Sequence, residues 1–361
     1  MSPPRPSADS LSDFDRNLLR QSVRDLLADR WPAERAVELE TDPAAVAAVW
    51  QAMAAHGLAS LASKADETGL REVVLAFEEL GRASCPAPLL GAVAANIAFG
   101  TGQTNATRAL LDDLHQGKAA IALALGAFDG DRGAGRVEVR DGRLSGKVSF
   151  VEGAQSVTHV LVLTDRPTGA AIVANGAAGL TVQETPGLMI PAFAELIFED
   201  TPATVVNTPS QLLADIAMVA RLACLARAVG AAQRAFELAV DHAKVRKQFG
   251  QLIGQFQAVQ HKLANIVIAL DGARLTLEAA AEARDSGDPA WHVFASAALA
   301  FAGPSLREVS IQTHRALGAI GYAEEHEAPR HFRRVHTDVA RFGGAPRARQ
   351  ELADYLLGPR Q

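Results

Sequence analysis

The hydrophobic period changes twice along this chain, and that order limits the architectures open to it. From about Leu11 to Lys118 apolar residues recur at helical spacing. From about Ala119 to Val206 they alternate in short runs punctuated by Gly and Pro. From about Pro209 to Leu357 the helical spacing returns, in segments of roughly thirty residues with few breaks. The chain therefore reads as mainly α with a β middle domain: an N-terminal helical domain over 11–118, a small antiparallel β domain over 119–206 and a C-terminal four-helix bundle over 207–361. Residues 1–10, rich in Pro and Ser, are expected to be disordered.

Local signals sharpen this reading. Ser12 can cap a first helix with Asp15 three residues on, and Phe14, Leu18, Leu19, Val23, Leu26 and Leu27 follow as one apolar stripe. Asp42-Pro43 is a second start, with Gly57 just past the stop. A third helix carries Val73, Val74, Phe77 and Leu80 up to Gly81, and two more fit between Pro88 and Gly117. Arg136 to Arg140 alternates, Asp141-Gly142 turns, and Leu144 to Phe150 continues, which predicts a hairpin. Gly230, Gly254, Gly287 and Gly321 mark turns or close approaches in the C-terminal helices.

Bulk properties exclude several classes. The formal net charge of -6 argues against a nucleic-acid binder, which needs a basic face. Cys85 and Cys224 are too few and too far apart for a disulfide framework, which suits a reduced cytoplasmic setting. Met1 to Ser10 has no apolar h-region, and no apolar run reaches the ~18 residues of a membrane helix. Val293 to Phe301, the most apolar helical stretch, is expected to be a buried core helix. No metal site is expected.

One stretch carries chemistry. Arg246-Lys247-Gln248-Phe249-Gly250-Gln251 leads through Leu252-Ile253-Gly254 to Phe256-Gln257-Ala258-Val259-Gln260-His261-Lys262-Leu263-Ala264. An arginine beside a glycine corner offers a rigid fork of donors for phosphate oxygens. The stretch closely resembles the signature of the acyl-CoA dehydrogenase superfamily, and the helix–β–helix order extends the likeness over nearly the whole chain. The resemblance implies FAD held between subunits, with Arg246 on the pyrophosphate of the neighbour's cofactor and Gln248, Phe249, Phe256 and Gln257 near its adenosine side. A second match, Arg315-Ala316-Leu317-Gly318-Ala319-Ile320-Gly321-Tyr322, resembles a family loop whose backbone approaches the same FAD; Arg315 stands where glutamine is usual. By resemblance Arg315, Gly318 and Ala319 are cofactor contacts, and Arg221 is a substrate-side residue.

The expected catalytic glutamate is missing from both places the family keeps it. Counting nine residues from Arg333 in the basic pair Arg333-Arg334 reaches Phe342, followed by Gly343. The other position, just before Arg221, holds Ala220. The family's aromatic–x–Ser/Thr flavin motif has no clear match around Phe150-Val151-Glu152, its Thr-Glu-Pro-Gly-like loop is replaced by Gly126 to Asp131, and Met218 stands for the usual aspartate. Asp338, Asp215, Glu324 and Glu325 are the nearest other acids, each more simply a solvated or ion-paired surface group. The resemblance then implies a base-lacking subunit of a heterotetrameric (α2β2) acyl-CoA dehydrogenase. Such a subunit completes the FAD site of a longer catalytic partner, in lipid or steroid breakdown. The alternatives are a stand-alone or homo-oligomeric dehydrogenase with a relocated base, and a scaffold or repurposed pocket on the same fold.

Overall fold

The computed structural model describes residues 12–63, 68–100, 104–129, 135–187 and 191–358. The Pro/Ser-rich N-terminus and the Gly130-Asp131 end of the replaced loop lie outside these residues.

Six helices form the first layer: α1 (Asp13–Arg30), α2 (Ala36–Leu39), α3 (Pro43–Ala55), α4 (Leu70–Ala83), α5 (Leu89–Phe99) and α6 (Asn105–His115). Ser12 and Asp15 close a capping box on α1, and the Asp42 carboxylate caps α3 above Pro43. The α1 stripe is only half as expected: Val23, Leu26 and Leu27 are buried, but Phe14 and Leu18 are exposed, because only the second half of the helix lies against the core.

Eight strands follow: β1 (Ile121–Ala124), β2 (Gly135–Arg140), β3 (Arg143–Glu152), β4 (His159–Asp165), β5 (Thr168–Ala174), β6 (Leu180–Glu184), β7 (Phe193–Pro202) and β8 (Thr204–Val206). They make two four-stranded sheets, ordered β1-β4-β5-β8 and β2-β3-β7-β6. The predicted hairpin is β2–β3, turning through Asp141 (φ 47°) and Gly142 (φ 74°). Pairing is antiparallel except for β1 with β4, which run parallel because β2 and β3 leave for the other sheet before the chain returns.

The C-terminal layer holds α7 (Ser210–Val245), a two-residue hairpin β9 (Lys247–Gln248) and β10 (Gln251–Leu252), then α8 (Gln257–Asp285), α9 (Trp291–Leu317), α10 (Ala328–Ala340) and α11 (Gly344–Leu357). What the sequence suggests as a fourth long helix is two helices, broken where Phe342 takes a left-handed conformation (φ 56°, ψ 36°). Val293 to Phe301 is not wholly buried, since Phe294 and Phe301 are about half exposed on the outer face of α9.

Two glycines on opposite helices explain how α7 docks. A Cβ on Gly81 of α4 would lie 1.9 Å from the Arg227 carbonyl oxygen, and one on Gly230 of α7 would lie 1.8 Å from that of Glu78. Gly81 and Gly230 are therefore contact points inside helices, and each lets the opposite backbone approach. We expect Gly230→Ala to destabilise the chain by about 1–3 kcal/mol in urea denaturation, as overpacking does. Gly187→Ala, in open space, should stay within about 0.5 kcal/mol of the parent.

Candidate functional site

The motif-bearing corner begins where α7 stops. Arg246 caps the helix in an extended conformation, and the chain reverses through β9 and β10. Phe249 (φ 52°) and Gly250 (φ 81°) fill the two turn positions, which the right-handed strand twist requires to be left-handed. Glycine adopts this freely; a bulky aromatic does so at a cost of about 1–3 kcal/mol. The strained Phe249 side chain is 92% exposed, meeting only the edge of Phe256 at 6.2 Å. Gln248 bonds back to the Lys247 carbonyl at 2.8 Å, and Gln257 opens α8 in solvent. The Arg246 side chain is exposed and has no ion pair or hydrogen bond among the described residues.

The glycine loop lies at the same end of the bundle. Ala239 of α7, Leu317 of α9 and Ala328 of α10 form a small buried cluster, with Leu263 of α8 and Ala316 packed on it. Gly318 (φ 66°, ψ -140°) ends α9 in a conformation that side chains avoid, and Arg315, Gly318 and Ala319 are exposed beyond it. The structure thus brings the eight expected cofactor residues to one end of the bundle, seven of them exposed and Phe256 half-buried.

The expected base position looks different. Phe342 is buried, with the Arg341 guanidinium 4.4 Å from its ring centroid, and Ala220 is buried within α7. Beside them sits a charge cluster centred on Glu152. Arg227 donates to both Glu152 oxygens at 2.8 and 2.9 Å, Arg341 donates to the same carboxylate, and Arg334 lies 3.4 Å away. Arg227 also grips Asp338 at 2.8 and 2.7 Å. Asp338, expected to be a solvated or ion-paired surface acid, is ion-paired but not at the surface: it is a buried partner of Arg227. Burial raises the Glu152 pKa, but Arg227, Arg341 and Arg334 outweigh it and hold the carboxyl well below the usual range. Cys224, at the margin of the cluster, is pushed up to about 11, chiefly by burial.

This cluster stands between two cavities. Glu152 and Arg227 line one of about 380 Å³ with Leu90, Gly91 and Leu123. Arg341 and Phe342 line the other, about 860 Å³, with Phe150, Phe193, Gly343 and Gly344. Glu152 on the first is bonded to Arg341 on the second. The other acids are also engaged: Asp215 with His292 at 2.9 Å and Glu324 with Arg333 at 2.9 Å, while Glu325 is exposed. Arg221 is buried on α7 and pairs with Glu351 of α11 at 2.8 Å.

Sequence reasoning missed the Glu152 cluster and Glu351. Arg227 reaches partners 75 and 111 positions away, so no local spacing announces it. The one available signal was Glu152 itself, an acid at the hydroxyl position of the aromatic–x–Ser/Thr motif.

Stability should report the cluster. An unfolded glutamate titrates near about 4.3. The folded Glu152 value is lower, so its contribution is complete above that pH and is lost as pH falls from there toward the folded value. We expect Glu152→Gln to cost about 3–5 kcal/mol at pH 7, because buried arginines lose their counter-charge. The variant should also flatten the acid limb of a stability–pH curve measured by denaturant titration.

Two family models match the chain: acyl-CoA dehydrogenase, N-terminal domain, over residues 14–117, and acyl-CoA dehydrogenase, C-terminal domain, over residues 213–345. Acyl-CoA dehydrogenase IpdE2 of Mycobacterium tuberculosis is 29% identical over 332 residues, 89% of this chain and 91% of that protein. A variant of the Tcur3481–Tcur3483 steroid ACAD superposes with a TM-score of 0.86 at 26% identity, over 95% of this chain and 98% of that one. The ChsE4–ChsE5 complex from Mycobacterium tuberculosis gives 0.86 at 21% identity, over 98% and 100%, and shares the fold. With both terminal domains matched and the arginine–glycine corner built as its sequence implied, the chain belongs to the acyl-CoA dehydrogenase family.

Proposed function

We propose that this chain is a base-lacking subunit of a heteromeric acyl-CoA dehydrogenase, lending its Arg246 corner to FAD bound largely by a catalytic partner. The observation that carries this reading is the Glu152–Arg341 pair beside the buried Phe342. FAD is the cofactor of this family, and when bound it accepts the hydride from the acyl thioester. That chemistry needs a carboxylate base at the α-carbon. On this reading the base positions hold Phe342 and Ala220, and the Glu152–Arg341 pair joins the linings of the two cavities.

The chain's own cavity suits an isoalloxazine poorly. A Ser or Thr hydroxyl can serve a flavin edge, whereas the Glu152 carboxylate is bound by arginines and supplies no hydroxyl. The outward corner suits the far end of a neighbour's cofactor. Arg246 keeps its donors free for a pyrophosphate, exposed Phe249 offers a face or edge to an adenine, and Gly318 permits close backbone approach. Strain held in an exposed aromatic fits a contact made across an interface. Val267, Ile268 and Leu275 on α8 and Phe294 and Phe301 on α9 give that layer an apolar exterior suited to a partner helix layer. The likeness to the Tcur3481–Tcur3483 steroid ACAD favours an acyl-CoA with a bulky, steroid-derived acyl group.

Two measurements test this. Purified alone, the chain should hold little FAD by visible absorbance, even after cofactor is added back; one tight FAD per chain would refute the reading. Coexpressed with a family member that carries the glutamate, it should form a complex whose FAD content falls by roughly tenfold in affinity on Arg246→Ala. Because Arg246 is exposed, that variant should keep the parent stability.

A further inference from the structure

The cavity of about 860 Å³ beside Phe342 carries charge of one sign only. It lies between the end of β3, the start of β7, α9 and the break that separates α10 from α11. Arg307, Arg341 and Arg349 line it, and its described lining holds no aspartate or glutamate. The chain has a net charge of -6, so an acid-free wall with three arginines runs against its average. Arg341 is bonded to Glu152. Arg307 and Arg349 are exposed, and neither guanidinium has an ion pair or hydrogen bond among the described residues. Two arginines on one cavity without a counter-charge favour an anion there.

The same cavity presents an aromatic ring that the backbone places at a cost. Val148 of β3 faces Leu196 of β7 and Val151 faces Ala194, so β3 holds one extra residue in between. A bulge of this kind re-aims a side chain. Phe150, inside it, has a left-handed backbone (φ 61°), which bulky residues avoid. Its ring lines the cavity and stays 42% exposed. Phe193 meets that ring edge-on, with centroids 6.5 Å apart and planes at 87°. The Arg341 guanidinium lies 5.2 Å from the Phe193 centroid. Apart from Thr337, every uncharged side chain on the described lining is apolar. Such a wall suits a hydrocarbon ring better than the polar edge of a flavin. A flat ring laid on Phe150 would take its exposed face out of water.

We propose that this cavity binds a planar aromatic anion, its hydrocarbon ring against Phe150 and Phe193 and its carboxylate or phosphate held by Arg307 and Arg349. The site belongs to this chain alone. It is separate from the Arg246 corner and does not depend on the cofactor-completing reading.

The test is calorimetric titration of the full chain with 2-naphthoate, 2-naphthyl phosphate, the neutral 2-naphthamide, the saturated decahydro-2-naphthoate, and FMN. At least one naphthyl anion should bind saturably, and the tighter of the two identifies the head group. The amide should bind at least about tenfold more weakly, because the charge-assisted contact is lost. The saturated acid should bind at least about threefold more weakly, because the aromatic contact is lost. FMN, planar and anionic but polar along its ring, should trail the better naphthyl anion by about tenfold or more. A variant carrying Arg307→Gln and Arg349→Gln should lose about tenfold for the anion and leave the amide unchanged. Both arginines are exposed, so that variant should fold as the parent does. Phe150→Gly, which the left-handed backbone accommodates, should weaken every naphthyl ligand. Equal affinity for anion and amide would overturn the proposal. So would undiminished binding by the double arginine variant, FMN binding as tightly as the naphthyl anions, or no saturation up to about 10 mM.

Discussion

Glu152 joins the β domain of this protein to its C-terminal helices through charge. Its carboxylate comes from the end of β3, Arg227 from the middle of α7, Arg334 from α10 and Arg341 from the break before α11. Three guanidinium groups and two carboxylates, Glu152 and Asp338, must be desolvated together. That is tolerable only if the geometry is held by packing, because a buried ion pair stabilises little beyond the cost of removing it from water. The close approach of α4 and α7 at Gly81 and Gly230 supplies that rigidity, fixing Arg227 where it reaches both acids.

The same cluster decides what the interior can do. A dehydrogenase needs the base, the acyl carbon and the flavin in one continuous space, and a carboxylate poised to take a proton. Here the Glu152 carboxylate is held by arginines, which lowers its basicity, Asp338 is bonded to Arg227, and Glu152 and Arg341, each lining one of the two cavities, are bonded to each other. The left-handed break at Phe342 packs that aromatic into the core and turns α10 into α11. The exterior corner has the opposite character: Arg246 is unengaged, Phe249 is strained and projecting, and Gly318 leaves the backbone bare. Inside, Glu152 and Asp338 are bonded to arginines; outside, Arg246 and Phe249 stand exposed.

The order of layers, the capped starts of α1 and α3, the β2–β3 hairpin and the Arg246-to-Ala264 corner were legible in the sequence. Each rests on local spacing: the period of apolar residues, a capping side chain two or three positions away, or a two-residue turn. That Phe342 and Ala220 occupy the two counted positions could likewise be read along the chain. The parallel β1–β4 pair, the split of α10 from α11 and the burial of Asp338 could not. Nor could the Glu152 cluster or the Arg221–Glu351 pair, whose partners lie 75 to 189 residues apart. Local signals fix which elements form, because backbone geometry couples near neighbours. Which charges meet, and which donors are left over, is decided only when distant helices and strands exclude water from the same volume.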